Sequence, residues 1–145
     1  MKTVKEVLAE KGKRVITIHQ DKTVQEALVC LVEAGIGAVV VVDDSDKLAG
    51  IFSERDVIRI VVEKKASVLP LLVKDVMTSK VICVVPEQTV DECMALMTEK
   101  RFRHLPVVVD GSMQGLISIG DLVKAAIADK EFLIQQLTHY IKSGG

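Results

Sequence analysis

The residue types and spacing best suited to chemistry occur in a motif that the chain carries twice, Gly-x-x-Ser-x-x-Asp, at residues 50–56 and 115–121. At the start of a helix, serine and aspartate at this spacing form a near-capping box, and the acid complements the helix dipole. The same turn also presents backbone N–H groups and a hydroxyl to an anion, while the carboxylate can accept hydrogen bonds from a ribose diol. The spacing alone favours helix capping and leaves ribose binding open.

Basic residues are distributed unevenly around the two motifs. The second copy places Lys-Arg-Phe-Arg-His at residues 100–104, where the first copy has Ala-Gly-Ile-Gly-Ala at residues 34–38. The first copy instead carries Arg55 and Arg59 within and just after its motif. The planar guanidinium fork suits phosphate oxygens, although a solvated surface cluster explains these residues equally well. The pattern predicts two unequal pockets, one of which holds a charged phosphate.

The chain offers little for other kinds of chemistry. It has no Walker loop, GxGxxG or GxSxG motif, and no order of residues that suggests a nucleophile and its base. Cys30, Cys83 and Cys93 lack zinc-ligand spacing, and the three histidines are isolated from one another. We therefore expect neither an enzyme nor a metal site.

The motifs belong to a larger unit that is itself repeated. A shift of 66 residues places Thr-Val-x-Glu at 23–26 on the same pattern at 89–92, and a shift of 65 superimposes the two Gly-x-x-Ser-x-x-Asp motifs. A lead-in also recurs, at residues 4–8 and 73–77. Two copies of one unit therefore make up nearly the whole chain.

Each copy predicts the element order β-α-β-β-α. A short strand (15–18 or 81–85) precedes a capping box that starts a helix, and Gly35 is typical of a helix C-terminus. Two apolar strands joined by a polar turn follow (39–42 and 50–53, or 105–109 and 115–118), and then a second helix. The predicted fold class is α/β (α+β), with two βαββα repeats related by pseudo-twofold symmetry and sharing one core. The helix residues expected to face inward are Ala27, Leu28, Leu31, Val32, Val57, Ile60, Val61, Val90, Cys93, Met94, Met97, Leu122, Ala125 and Ala126.

Composition limits the class of protein. The 145 residues are 49% hydrophobic with a net charge of −1, which argues against a disordered chain and against a non-specific nucleic-acid binder. The longest apolar run falls far short of the roughly 20 residues that span a bilayer, and the first residues lack a signal-type apolar stretch. We expect a cytoplasmic protein that binds neither membrane nor nucleic acid.

The repeated unit, together with Arg-His-Leu-Pro-Val at 103–107 and Gly-Leu-Ile-Ser-Ile-Gly-Asp at 115–121, resembles the cystathionine-β-synthase (CBS) domain. Two copies resemble a stand-alone CBS pair, or Bateman module, over about residues 3–128. The resemblance divides the chain into a first repeat with its lead-in (1–68), a second repeat (69–128) and a C-terminal helical tail (129–145).

The resemblance also implies a binding site. In the family pattern the aspartate holds the ribose hydroxyls, the serine lies near ribose and phosphate, and a threonine of the first strand adds a hydroxyl. That threonine is Thr17 in the first repeat but Cys83 in the second, which departs from the pattern. Backbone groups on the first strand meet the adenine edge, an aliphatic side chain walls the base, and basic residues meet phosphates. The implied nucleotide-binding residues are Val15, Ile16, Thr17, Ile51, Ser53, Arg55, Asp56, Val81, Ile82, Cys83, Arg103, His104, Leu116, Ser118 and Asp121.

The function implied by the resemblance is regulatory. Modules of this family bind AMP, ADP, ATP, NAD(H) or S-adenosylmethionine, and the arginines and family frequency favour AMP or ATP here. No cofactor is required; the nucleotide is a regulatory ligand that modulates a partner protein, whose identity the sequence does not give. The alternative is a structural or interaction module with degenerate pockets that regulates its partner without nucleotide.

Pairs of this family commonly dimerise through their helices, and we expect a homodimer. The apolar helix residues considered for that interface are Leu28, Leu31, Ile58, Val61, Leu122 and Ala126. The tail adds an approximate apolar stripe, which we expect to pack across the dimer or to dock a partner: Phe132, Leu133, Leu137, Tyr140 and Ile141.

Overall fold

The computed structural model describes residues 2–12, 15–64 and 67–142, with side chains described as far as residue 139. Its elements follow the predicted order except for the first strand of the second repeat, and each repeat is preceded by a lead-in helix. They are α1 (Val4–Lys11), β1 (Thr17–His19), α2 (Val24–Ala34), β2 (Ala38–Val42), β3 (Leu48–Ser53), α3 (Glu54–Lys64), α4 (Val73–Val76), α5 (Val90–Lys100), β4 (His104–Val109), β5 (Ser112–Ser118) and α6 (Ile119–Lys142).

The capping boxes that start α2 and α5 form as predicted. Thr23 Oγ1 accepts a hydrogen bond from the Glu26 N–H at 3.2 Å, and Thr89 Oγ1 accepts one from the Glu92 N–H at 3.1 Å. Each cap contributes on the order of 1 kcal/mol. Gly35 ends α2 in the left-handed conformation, with its N–H bonded to carbonyls of the last turn.

Two hairpins carry the strand-to-helix turns. β2 pairs antiparallel with β3, and β4 with β5, and each hairpin has a register shift at the equivalent place, after Val41 and after Val107. β1 adds a parallel strand to the first hairpin. The fold class is confirmed as mixed α/β with two small sheets.

The prediction of a strand at residues 81–85 is wrong, because these described residues form no continuous strand. Only Val84 forms a parallel bridge, to Val107, through backbone hydrogen bonds to the Pro106 carbonyl and from the Val108 N–H. Extending this ladder would require an N–H from residue 106 to the carbonyl of Ile82, which proline does not have. β1 has no such obstacle, because Val40 stands at the equivalent position of β2.

The buried residues form two clusters, one behind each hairpin. Most helix residues predicted to face inward belong to them, but Val32 is 81% exposed and Val61 is 49% exposed. The buried row of α2 runs through Val24, Ala27 and Leu31, and Val32 is rotated about 100° beyond Leu31. The inward prediction for Val32 and Val61 is therefore wrong.

Each lead-in helix packs on the other repeat and not on the one that it precedes. Val4, Val7 and Leu8 of α1 are buried in the cluster of the second repeat, whereas Val73 and Val76 of α4 are buried in that of the first. This exchange ties the repeats together. The division of the chain at residues 68 and 128 stays a prediction, and α6 continues through residue 128 without a break.

The last turns of α6 extend away from the core. Phe132, Leu133 and Leu137 are all more than half exposed, as expected for the tail, while the side chains of Tyr140 and Ile141 lie outside the described part. None of the helices in the described ranges is long and apolar enough to cross a membrane.

Candidate functional site

Two clefts lie where the repeats meet at their strand-to-helix turns. The first cleft, of about 720 Å³, combines Ser53 and Asp56 of the first repeat with Arg103 and His104 of the second. The second cleft, of about 360 Å³, contains Asp121 beside residues of α1 and of the segment before β1. The duplicated motif therefore supplies one strand-to-helix corner to each cleft. Residues 50–56 form the first corner, and residues 115–121 form the second.

Asp56 forms the polar centre of the first corner and is only 5% exposed. Its Oδ2 accepts hydrogen bonds from the Ser53 N–H (2.8 Å) and hydroxyl (3.2 Å), and its Oδ1 accepts them from the Thr78 hydroxyl (2.9 Å) and the Arg59 guanidinium (3.3 Å). These four donors fill the acceptor capacity of a carboxylate. Capping of α3 is thus one role of Asp56, as the spacing predicted.

Asp121 caps α6 in the same way but has a different partner. Its Oδ2 accepts from the Ser118 N–H at 2.8 Å, and its own N–H donates to the Ser118 hydroxyl at 3.2 Å. The same oxygen lies 2.7 Å from the Lys11 ammonium. Burial acts to raise the pKa of Asp121, but the hydrogen bonds from Lys11 and from the Ser118 backbone outweigh it and hold that pKa below its ordinary value.

Four arginines line the first cleft: Arg55, Arg59, Arg101 and Arg103. Arg101 ends α5 with a φ of 60°, at the position equivalent to Gly35. A non-glycine residue in this conformation costs on the order of 1 kcal/mol. With Glu54 and Asp56 as the acidic residues in the lining, the first cleft is net positive.

His104 and Ser118 line both clefts and thus join them. Burial lowers the pKa of His104, and the positive charges of Lys11 and Arg103 lower it further, against the opposing effect of Asp121 and Glu54. A neutral imidazole at pH 7 offers a ligand one donor and one acceptor without adding a charge.

The structure divides the sequence-predicted site residues into three groups. The first cleft collects Ile51, Ser53, Arg55, Asp56, Val81, Arg103, His104 and Ser118, and the second collects Val15, Ile16, His104, Leu116, Ser118 and Asp121. Thr17, Ile82 and Cys83 line neither cleft. Thr17 pairs with Val40 in the sheet, Ile82 packs on the second core cluster, and Cys83 is exposed, with partial burial raising the pKa of its thiol.

The sequence analysis missed two cleft residues, Thr78, which contacts Asp56, and Lys11, which contacts Asp121. It singled out Arg59 and the run at residues 100–104 as basic residues but did not include Arg59, Arg101 or Phe102 among the binding residues, and all three line the first cleft. The repeated lead-in was the available signal, because Lys11 and Thr78 each follow one copy of it and each reaches an aspartate of the duplicated motif.

A separate group of His19, Asp21 and Asp44 brings three possible metal ligands together. His19 Nδ1 accepts a hydrogen bond from the Asp21 N–H (3.1 Å), so Nε2 carries the proton and donates to Asp44 at 2.7 Å. Lys74 pairs with Asp21 at 3.0 Å. These contacts account for the arrangement as a surface hydrogen-bond network.

Comparison with known protein families gives a match over most of the chain. The model of the CBS domain matches twice, at residues 4–63 and 73–128. The CBS domain-containing protein CBSX3, mitochondrial, of Arabidopsis thaliana is 37% identical over 150 residues, which cover 98% of this chain and 73% of that protein. Three other curated relatives are longer, and the alignments cover between 14% and 57% of their length.

Solved structures share the fold. The crystal structure of a CBS-domain containing protein from Agrobacterium tumefaciens has a TM-score of 0.82 and 42% identity, covering 86% of this chain and 92% of that one. The crystal structure of CBSX2 in complex with AMP has a TM-score of 0.75 and 28% identity, covering 90% and 99% of the two chains.

Proposed function

Because the chain belongs to the CBS-domain family, we propose that it is a regulatory module, not an enzyme, which binds an adenosine nucleotide in the first cleft and thereby modulates a partner protein. The observation that carries the proposal is the composition of that cleft. It joins the Ser53–Asp56 corner to four arginines and an apolar wall, in a volume within the range of small-molecule sites.

The apolar wall suits the base. Ile51, Ile58, Val81, Phe102 and Ile119 line the first cleft. An adenine between Ile51 and Val81 would bury both of its faces, and the backbone of Val81 would meet its edge. Burial of aromatic area against aliphatic side chains is favourable at roughly 25 cal/mol per Å².

The corner suits the ribose. All four hydrogen bonds to Asp56 come from the protein, but two of them come from hydroxyls, those of Ser53 and Thr78. A ribose diol supplies the same kind of donor, so it can replace these hydroxyls, which turn to other acceptors. Binding would then exchange hydrogen bonds of equal type and leave no buried oxygen unsatisfied.

The arginines suit a phosphate and favour AMP or ATP over S-adenosylmethionine, whose sulfonium carries a positive charge. Guanidinium–phosphate hydrogen bonds are charge-assisted and bidentate. The AMP complex of CBSX2 supports the same ligand class. For the ligand to regulate anything it must bind two conformations, or two partner-bound states, with different affinity.

The first test removes the proposed phosphate contacts of two arginines and leaves Ser53 and Asp56 unchanged. In Arg55→Met/Arg103→Met we expect the affinity for AMP to fall about tenfold or more, since each partly solvated charge contact is worth about 0.7–1 kcal/mol. Affinity for adenosine should stay within twofold of the wild type. Isothermal titration with both ligands measures this.

The matched control is Lys5→Met/Lys47→Met, which removes the same charge from exposed positions outside both clefts. Equal loss of AMP affinity in the control would mean that only net charge matters. A wild-type protein that binds neither AMP nor adenosine would favour the alternative, an interaction module that regulates its partner without nucleotide.

We also propose a homodimer formed by the helical faces. Ile58 and Val62 of α3 are exposed, and so are Val123 and Ile127, which lie 65 residues further along on α6. Two of the residues expected at the interface, Leu31 and Leu122, are instead buried in the core, so that part of the expectation is wrong. The exposed tail of α6 would extend the interface or dock the partner. The cytoplasmic location stays a prediction.

Val62→Glu should convert the dimer into a monomer, because a dry apolar interface does not tolerate an unpaired carboxylate. Multi-angle light scattering after size exclusion measures the mass. Lys64→Glu, at the exposed end of the same helix, is the control and should leave the mass unchanged. A Val62→Glu protein with the wild-type mass would exclude this face.

A further inference from the structure

The two aspartates of the duplicated motif occupy equivalent corners but have different neighbours. Asp56 accepts from hydroxyls of Ser53 and Thr78, which a ribose hydroxyl can replace while the Arg59 guanidinium stays at 3.3 Å from Oδ1. Asp121 forms a shorter ion pair, with the Lys11 ammonium at 2.7 Å from Oδ2, and its carboxylate side chain is 22% exposed. An ammonium is not exchanged for a neutral hydroxyl without loss of that ion pair.

The difference comes from the lead-in helices. The leucine or methionine of each lead-in packs against the glycine of a motif, Leu8 on Gly115 and Met77 on Gly50. After that contact the two segments diverge. α4 ends at Val76 and the chain turns into a bridge with Ile51, which brings the neutral hydroxyl of Thr78 to Asp56.

α1 continues as a helix to Lys11 and therefore brings an ammonium to the other corner. Lys80, which stands at the position equivalent to Lys11, lies beyond the Thr78 bridge and is exposed.

Lys11 binds a second acceptor besides the carboxylate. Its ammonium also donates to the carbonyl of Leu116 at 2.6 Å, so it connects the cap of α6 to the end of β5, and all three residues line the second cleft. The second cleft has half the volume of the first. The charged residues in its described lining are Lys11 and Asp121, which are paired with each other.

We propose that Lys11 is a latch that closes the second cleft, and that the cleft accepts a ribonucleoside only when Lys11 leaves Asp121. The ribose diol would then take the acceptor that the ammonium holds. This inference rests on the proposed function only in assuming that the Ser-x-x-Asp corner can bind ribose. With the latch closed, the chain takes one nucleoside, in the first cleft.

The test is isothermal titration with adenosine, counting sites per chain. Lys11→Met keeps the length and apolar stem of the side chain and removes the ammonium. We expect one site in the wild type and two in Lys11→Met. Lys11→Arg keeps the charge and should show one site. Lys5→Met removes a charge from the exposed face of the same helix and should also show one. Thermal denaturation verifies that each variant is folded.

A further variant locates the new site, because Lys11→Met/Asp121→Asn should return to one site. Two sites in the wild type, or an unchanged number in Lys11→Met, would overturn the latch. The proposed function is judged separately by AMP binding to the wild type. A wild type that binds no adenosine, with one site in Lys11→Met, would uphold the latch while contradicting the role of the first cleft.

Discussion

Asp56→Ala is expected to destabilise the fold by about 3 kcal/mol, and Asp121→Ala by only about 1 kcal/mol, although the two residues occupy equivalent positions of a repeat. Asp56 is almost fully buried, and its removal leaves a backbone N–H, two hydroxyls and the Arg59 guanidinium without their charged acceptor. Asp121 is more exposed, and its partner Lys11 regains water when the carboxylate is lost.

Urea denaturation of the two variants measures the difference, with Asp91→Ala as the control. Asp91 lies in the first turn of α5 and is exposed, so its loss removes a favourable interaction with the helix dipole but no buried hydrogen bond. Equal costs for Asp56 and Asp121 would show that both act only as helix caps, and would remove the physical distinction between the two corners.

The same pair of variants separates capping from ribose binding. Ligand at about 100 times its dissociation constant stabilises the wild type by roughly 2.7 kcal/mol. If Asp56 contacts the ribose, this increment disappears in Asp56→Ala even though the variant is folded at low urea. If Asp56 only caps α3, the variant is less stable but gains the same increment from AMP.

The features predicted correctly are those fixed by neighbours in sequence. The capping boxes of α2 and α5, the left-handed Gly35 and the two hairpins depend on residues fewer than about 20 positions apart. The strand at residues 81–85 failed because the segment lies beside Pro106, which has no N–H to continue the ladder. The sequence shows this proline but not the register that places it opposite the segment. The packing of α1 on the second repeat depends on contacts between residues more than about 70 positions apart, such as those of Val4 and Leu8 with the second core cluster.

The sequence analysis named many of the cleft residues but did not predict which of them lie together. Arg55 and Arg103 come from different repeats, and only the packing of one repeat on the other brings both to the first cleft. Thr17 and Cys83 were assigned from the family pattern, and the structure places neither of them in a cleft. Lys11 was missed because its effect depends on α1 being one turn longer than a second lead-in of similar sequence.

The glycines of the two motifs should also respond unequally to the same change. A Cβ on Gly50 would lie 2.6 Å from the backbone carbonyl oxygen of Thr78, whereas a Cβ on Gly115 would lie 2.6 Å from the end of the Leu8 side chain. Leu8 can change rotamer, but the Thr78 carbonyl is fixed by its hydrogen bond from the Ile51 N–H at 2.9 Å.

Gly50→Ala is therefore expected to cost about 2–3 kcal/mol, as overpacking against fixed atoms does, and Gly115→Ala about 1 kcal/mol or less. Denaturation curves measure both, and Gly120→Ala serves as the control, since its Cβ would meet the Ser118 hydroxyl at an ordinary 3.7 Å and Gly120 lines neither cleft. Thr78 lines the first cleft, so its displacement in Gly50→Ala should change the shape of that cleft and lower AMP affinity, whereas Gly120→Ala should retain it. Equal costs at Gly50 and Gly115 would mean that the Thr78 bridge gives way as easily as a leucine rotamer, and the first corner would then be no more rigid than the second.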